Sequence, residues 1–130
     1  MIDEHYRIGE VADRVGLSLR TIRYYEEIGL VTPSGRTEGG FRLYTDSDVD
    51  RLRLIKALKP VGMSLETMAE LLKAADHVAA SPGSGRPASE KRLESVLATA
   101  KDRCDELETR LDEARRALRE IAGQAAMGGR

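Results

Sequence analysis

The chain has little of several features that mark common protein classes. It contains one cysteine, Cys104, and no tryptophan, so neither an intramolecular disulfide nor a thiolate cage for zinc can form within it. No apolar run approaches the roughly 18 residues that a membrane-spanning helix needs. Residues 1–4 lack the basic and apolar regions of a signal peptide. We therefore expect a soluble, cytoplasmic protein that contacts no membrane.

An excess of charge of one sign is also missing. Because 21 basic residues stand against 22 acidic ones, the overall charge does not indicate a nucleic-acid partner, and any phosphate-binding surface must come from local placement of basic side chains. No nucleophile paired with a base and no phosphate-cradling glycine loop stands out, so we expect no catalytic residue, no metal and no cofactor. The length of 130 residues suffices for one small core and one extended element.

Two short helices are predicted near the amino terminus. The first, over about 9–15, has its apolar residues on one face, and Gly16 after it can end a helix in the left-handed conformation. The second begins after Ser18, a good N-cap, and ends near Gly29. Two short helices joined by a tight turn form a candidate helix-turn-helix. The predicted inner positions of the second helix are Leu19, Ile22 and Tyr25.

The pattern then changes from helical to turn-rich. Residues 31–40 contain several glycines and a proline, and residues 41–44 alternate in polarity, which predicts a small β-hairpin. Thr45 and Asp48 have the spacing of a capping box, with aspartate in place of the usual longer acid. We therefore predict a third helix over about 46–59.

A helical pair completes the first predicted domain, residues 1–75. Pro60 and Gly62 end the third helix, and Ser64 is positioned to cap a fourth. The apolar residues of this fourth helix are Leu65, Met68, Leu71 and Leu72.

The rest of the chain is predicted to be a linker, a long helix and a tail. Residues 76–88 have small residues and helix breakers without an apolar period, which is typical of a flexible linker. Ser89 is positioned to cap a helix over 89–122, which would be roughly 50 Å long. Residues 123–130 are predicted to be a short disordered tail.

Apolar or small residues recur along the long helix in alternating steps of four and three. Such a narrow stripe cannot bury itself alone, so we expect it to pair with a second copy in a coiled coil. An antiparallel pairing centred between Cys104 and Leu107 sets every small residue against a leucine, which avoids voids and overpacking. The predicted dimerisation residues are Leu93, Leu97, Ala100, Cys104, Leu107, Leu111, Ala114, Leu118 and Ile121.

A polar face of the second helix carries the strongest functional signal. Arg20, Arg23, Tyr24 and Glu27 recur at one-face spacing, opposite the apolar residues. In a helix-turn-helix this face would enter the DNA major groove, where arginine can bind guanine or phosphate. The alternative interpretation of the same spacing is an ordinary solvated helix face.

A resemblance to a known family bears on this choice. Residues 6–12 read Tyr-Arg-Ile-Gly-Glu-Val-Ala, residues 19–26 read Leu-Arg-Thr-Ile-Arg-Tyr-Tyr-Glu, residues 40–44 read Gly-Phe-Arg-Leu-Tyr, and residues 62–66 read Gly-Met-Ser-Leu-Glu. Over about 6–73 the chain closely resembles the MerR family of winged-helix regulators. The resemblance implies a mostly α fold: an N-terminal winged helix-turn-helix with a small β-hairpin wing, a second helical pair, and a long C-terminal antiparallel coiled-coil dimerisation helix.

The resemblance also implies which residues contact DNA. It places contacts on the second helix, which is called the recognition helix in this family. It also places contacts on residues of the β-hairpin wing that bind phosphates, and on two lysines near the end of the third helix. Two departures from the family pattern matter. Phe41 stands where many members have tyrosine, so a hydroxyl is absent, and Pro60 disfavours α geometry at the preceding residue. The implied DNA-binding residues are Arg20, Thr21, Arg23, Tyr24, Arg36, Arg42, Tyr44, Lys56 and Lys59.

The function implied by the resemblance is regulation of transcription. Family members typically bind, as homodimers, a near-palindromic site on double-stranded promoter DNA, and they distort that DNA so that RNA polymerase can engage it. Two other classes remain open: an architectural or recombination-directionality DNA binder, and an adaptor that has lost DNA binding. The intact arginine set argues against the adaptor.

The effector is unknown or absent. Metal-sensing members use two or more cysteines, and Cys104 has no cysteine partner in this sequence, so we expect no metal site. Multidrug-sensing members append a ligand domain, for which the seven residues after Gly123 are too few. Cys104 itself has two interpretations: a small apolar residue in the coiled coil, or a redox or electrophile sensor.

Overall fold

The computed structural model describes residues 5–128. Residues 1–4 of the first predicted domain and 129–130 of the predicted tail lie outside this range. The strands are β1 (Tyr6–Arg7), β2 (Gly35–Arg36) and β3 (Arg42–Tyr44). The helices are α1 (Ile8–Val15), α2 (Leu19–Glu27), α3 (Asp46–Leu58), α4 (Leu65–Ala80) and α5 (Arg86–Gly128), and a 3-10 turn spans Lys59–Val61 between α3 and α4.

The predicted hairpin is part of a three-stranded antiparallel sheet with the order β1-β3-β2. Arg36 pairs with Arg42 in the hairpin, and Tyr6 pairs with Tyr44 on the other side of β3. We call the β2–β3 hairpin the wing. Strand β1 was not predicted, because a strand of two residues is too short to show a periodic pattern. Its pairing with β3 ties the wing to the start of α1.

Three of the four predicted N-caps are confirmed, those of α2, α3 and α4. The Ser18 hydroxyl accepts a hydrogen bond from the backbone N–H of Thr21 at 3.1 Å. Thr45 and Asp48 form both bonds of a capping box, and Ser64 accepts from the Thr67 N–H at 3.1 Å. Each cap satisfies a backbone donor that the first helical turn leaves unpaired, so these boundaries follow from local chemistry.

One hydrophobic core unites the first four helices and the sheet. Leu19, predicted to point inward, is instead 40% exposed. It is the first residue of α2, directly after the cap, and the apolar contacts of this helix are made by Ile22 and Tyr25. The residues with no exposed surface are Val11, Ile22, Tyr44, Leu52 and Met68.

The predicted linker over 76–88 is largely helical, so its bounds were wrong. Helix α4 continues through Ala80, since alanines are strong helix formers, and α5 already begins at Arg86. Only residues 81–85 connect them. The backbone N–H groups of Gly85 and Arg86 both donate to the Pro82 carbonyl, at 3.0 Å each, which closes a tight turn.

Both ends of the long helix also differ from prediction. Ser89 lies inside the first turns of α5, where its hydroxyl contacts the Ser81 hydroxyl at 2.6 Å, rather than capping the helix. At the other end, residues 123–128 are helical, because the alanines and Gln124 offset the cost of Gly123. Helix α5 therefore has 43 residues and is roughly 65 Å long. Within residues 5–128, no helix is both long and apolar enough to cross a membrane.

Candidate nucleic-acid interface

Helix α2 presents one polar face away from the core. It follows α1 after Gly16, which ends α1 with φ 78°, a backbone conformation that glycine adopts at little cost. Ile22 and Tyr25 anchor α2 in the core. At helical spacing this anchoring leaves Arg20, Arg23 and Tyr24 on the exposed side.

The side chains of Arg20 and Arg23 form no hydrogen bond or ion pair within residues 5–128, so both guanidiniums are available to a ligand. Tyr24 is 48% exposed and its ring lies 6.2 Å from that of Tyr25. Thr21 is less available, because its hydroxyl accepts a hydrogen bond from Ser18 at 2.8 Å. The face thus combines two unpaired cations with one aromatic edge.

Glu26, at the end of α2, fastens the wing to the recognition helix. Its carboxylate accepts a hydrogen bond from Nε of Arg42 at 2.7 Å and one from the Tyr44 hydroxyl at 3.0 Å. The bond to Glu26 raises the pKa of Arg42. Burial, with the Glu26 hydrogen bond second, raises the pKa of Tyr44 well above its usual range. Glu26 was not among the predicted site residues, because its partners lie 16 and 18 residues away in the sequence.

The burial of Tyr44 and Arg42 bears on the DNA contacts that were predicted for these two residues. Tyr44 has no exposed surface, so its ring cannot touch DNA, and the assignment of a direct contact to it was wrong. The Arg42 side chain is 35% exposed, which leaves only part of its guanidinium for a phosphate.

The tip of the wing carries a second basic group. Arg36 is exposed, donates to the Gly40 carbonyl at 3.1 Å, and lies 4.0 Å from Glu26. Phe41 is 59% exposed, and the guanidinium of Arg7 stacks over its ring at 4.9 Å. Arg7, from β1, therefore places a cation beside the ring that lacks the hydroxyl.

The two lysines that were predicted to contact DNA lie at different places in the structure. Lys59 lines one surface concavity with Arg20 and Tyr24, so the structure brings it to the recognition helix. It keeps α-helical torsion angles, φ −60° and ψ −46°, despite the proline that follows. Lys56 instead donates to the Val15 carbonyl at 2.8 Å, at the end of α1. A cation there satisfies a carbonyl that the helix end leaves unpaired.

Comparisons with known proteins agree with this geometry. The family model for MerR HTH family regulatory proteins matches residues 6–75, and a second model, described as MerR, DNA binding, matches residues 49–124. The chain belongs to the MerR family. The matches cover the helix-turn-helix, the wing, the helical pair and most of α5, so the predicted resemblance is confirmed.

Several curated relatives of this MerR chain are regulators of transcription. The HTH-type transcriptional activator mta of Bacillus subtilis is 34% identical over 125 residues, 96% of this chain and 45% of the relative. The mercuric resistance operon regulatory protein of Bacillus cereus is 45% identical over 71 residues, 55% of this chain and 54% of the relative. ZntR of Escherichia coli K12 is 51% identical over 67 residues, which is 52% of this chain and 48% of the relative. The chain thus spans about half the length of the curated relatives it matches.

Solved MerR structures share the fold. HiNmlR, a MerR family regulator lacking the sensor domain and crystallised bound to promoter DNA, superposes with a TM-score of 0.69 at 26% identity, over 88% of this chain and 79% of that one. MtaN, the N-terminal part of the Bacillus subtilis multidrug transporter activator, superposes with a TM-score of 0.50 at 33% identity, over 84% of this chain and 96% of that one. The predicted fold class, a mostly helical winged helix-turn-helix with a long C-terminal helix, is confirmed.

The predicted dimerisation residues of the MerR chain fall into two groups. Leu93, Ala100 and Leu107 are partly or fully buried within the chain's own fold, in which α5 packs chiefly on α4, so the stripe is not left wholly to a second copy, as the sequence had suggested. The packing arises because the short turn after α4 returns α5 alongside it. The other predicted residues are exposed: Leu97, Cys104, Leu111, Ala114, Leu118 and Ile121.

Cys104 is exposed on α5. Among residues 5–128, no three His, Cys, Asp or Glu side chains come close enough together to hold a metal ion.

Proposed function

We propose that this MerR-family chain is a sequence-specific regulator of transcription that binds promoter DNA through the exposed face of α2 and through the wing. The observation that carries the proposal is the pair of unbonded guanidiniums, Arg20 and Arg23, on a helix whose other face is anchored in the core. By contrast, Arg51 on α3 donates to the Leu30 carbonyl and to Asp76. Two unpaired arginines, one turn apart, fit the acceptors on guanine edges and phosphates.

The wing and the 3-10 turn would flank the recognition helix as phosphate contacts. Arg36 and the exposed part of Arg42 lie beside Glu26, and Lys59 shares a concavity with Arg20 and Tyr24. Thr21 and Lys56 would have supporting roles, since each is already bonded within the chain. The crystal structure of HiNmlR on promoter DNA supports this placement, because that regulator shares the fold over most of this chain.

The DNA site would be near-palindromic and the protein a homodimer. Beyond Leu107, every described residue of α5 is exposed, including Leu111, Leu118 and Ile121, and an apolar stripe on a helix needs a partner. The midpoint of α5 is Leu107, next to the predicted centre of the antiparallel pairing. Two such helices would overlap almost completely and place the DNA-binding heads at opposite ends, as a two-fold DNA site requires.

Regulation would proceed by distortion of promoter DNA, so that RNA polymerase engages it. Bending a site of 20–30 base pairs costs on the order of 1–6 kcal/mol, which the contacts of two heads would offset. No effector is assigned to this mechanism.

The decisive experiment is selection of bound duplexes from a random library, followed by mapping of bound genomic sites. We expect a two-fold consensus that lies within promoters. Enrichment at attachment sites or at many dispersed sites would favour an architectural role, and the absence of any selected duplex would favour an adaptor. The Arg20→Ala variant should lose enrichment. The matched control, Arg119→Ala on distal α5, should keep it because Arg119 is remote from the proposed interface and forms no ion pair within residues 5–128.

A further inference from the structure

One side chain of the long helix reaches back to the head. Nε of Arg103 donates a hydrogen bond to the Val61 carbonyl at 3.2 Å, across 42 residues of sequence. Val61 is the last residue of the 3-10 turn that begins at Lys59. The Arg103 side chain is 32% exposed, so it lies against the head rather than extending into solvent.

The turn is shaped to receive this guanidinium. Gly62 follows it with φ 80°, and a Cβ at that position would lie 2.7 Å from an Arg103 nitrogen. A side chain at position 62 would therefore displace this guanidinium from its present place. The carbonyl that Arg103 binds is one that the end of a short helical turn leaves without a backbone partner.

Arg103 also pairs with an acidic side chain of its own helix. Glu106 accepts a hydrogen bond from Arg103 at 3.1 Å and one from Arg110 at 3.2 Å. One turn earlier on α5, Ala100 is buried in the core. Arg103 thus lies near the last point at which α5 touches its own head, because all described residues after Leu107 are exposed.

We propose that Arg103 is a positioning residue for DNA binding. It holds the 3-10 turn against α5, and that turn carries Lys59 into the concavity shared with Arg20 and Tyr24. The bond transmits the orientation of the long helix to a phosphate-contacting group. Arg103 itself touches no DNA. The inference rests on the proposed function, since it assigns Arg103 a part in the same interface.

A double-mutant cycle on the full-length protein tests this inference. Lys59→Met should weaken binding to a selected duplex about fivefold, or about 1 kcal/mol, and should reduce the slope of log affinity against log salt by about 1. Arg103→Met should cause the same two changes. The double variant should bind no more weakly than either single variant, because both substitutions remove the same contact.

Arg110→Met is the matched control. It removes the same charge from the same helix and the same Glu106 partner, but the Arg110 side chain forms no hydrogen bond or ion pair with the head within residues 5–128, so the affinity of this variant should stay within twofold of that of the unmodified protein. Urea unfolding and sedimentation should show Arg103→Met folded and unchanged in oligomeric state. If it unfolds, Arg103→Gln carries the same test with a polar side chain too short to reach Val61.

Three results would overturn the inference: Arg103→Met binding as well as Arg110→Met, losses that add in the double variant, or a Lys59→Met protein with unchanged affinity and salt slope. Failure of the proposed function looks different, because the unmodified protein would then select no duplex at all.

Discussion

Nε of Arg42 lies 2.7 Å from a carboxylate oxygen of Glu26, and this bond joins the wing to the recognition helix. The same carboxylate accepts from the buried Tyr44 hydroxyl. Glu26 therefore directs its charge toward β3 and leaves the two arginines on the other face of α2 unpaired. The Glu26 carboxylate thus links the wing to α2 at two points of β3.

Glu26→Gln should weaken the link between the wing and α2 while preserving the size of the side chain. We expect the free energy of unfolding to fall by about 1 kcal/mol, at the low end for hydrogen bonds to charged groups because Arg42 is about a third exposed and solvent screens the pair. Urea unfolding with an unchanged m-value measures this loss. Glu27→Gln, the same change at an exposed neighbour, should stay within about 0.5 kcal/mol. Equal effects of the two substitutions would contradict the assigned role of Glu26.

Tyr44 should make the protein sensitive to alkali. Its folded-state pKa is raised above that of the unfolded chain, so the folded state keeps the proton while the unfolded state releases it. The stability that this contributes is fully present below about pH 10 and is lost as the pH rises further, with a slope of up to about 1.4 kcal/mol per pH unit.

The measurement is urea unfolding at several pH values between 9 and 11. Tyr44→Phe should be less stable at pH 8, because it leaves Glu26 short of a donor, but its stability should fall less steeply above pH 10. Tyr24→Phe, at an exposed ring, should keep the steep fall. An unchanged slope in Tyr44→Phe would show that other groups cause the alkaline loss.

Arg23→Ala should weaken specific binding by about 1–3 kcal/mol and relax discrimination at one base position, as expected for loss of a base-edge contact. Stability should not change, since the Arg23 side chain forms no hydrogen bond or ion pair within the described part of the chain. Competition binding against single-base variants of a selected duplex measures both effects. Arg53→Ala, which removes an exposed arginine of α3, is the control. Equal weakening on every duplex would instead identify Arg23 as a phosphate contact.

The antiparallel register of the coiled coil can be trapped chemically. Leu107→Cys, in a chain that keeps Cys104, should form an intersubunit disulfide between positions 104 and 107 on gentle oxidation, because the predicted pairing sets these positions opposite each other. Peptide mapping identifies the linkage. With Cys104→Ser added, that linkage must disappear. Dominant linkage between two copies of Cys104 would require a different pairing.

Local chemistry determined much of the fold from the sequence. The caps at Ser18, Thr45 and Ser64 and the left-handed glycine after α1 satisfy backbone groups within a few residues, so each boundary follows from short-range spacing. The motif around Arg23 was likewise sufficient to indicate the family.

Only the tertiary structure decided which of the basic residues are free. Arg42, Lys56 and Arg103 look no different from Arg20 and Arg23 in the sequence, yet each is bonded to a group between 16 and 42 residues away. It also decided that α4 covers part of the heptad stripe and that residues 81–85 form a tight turn. Periodicity indicates which face of a helix seeks burial, but which neighbour covers that face depends on how the chain returns in space.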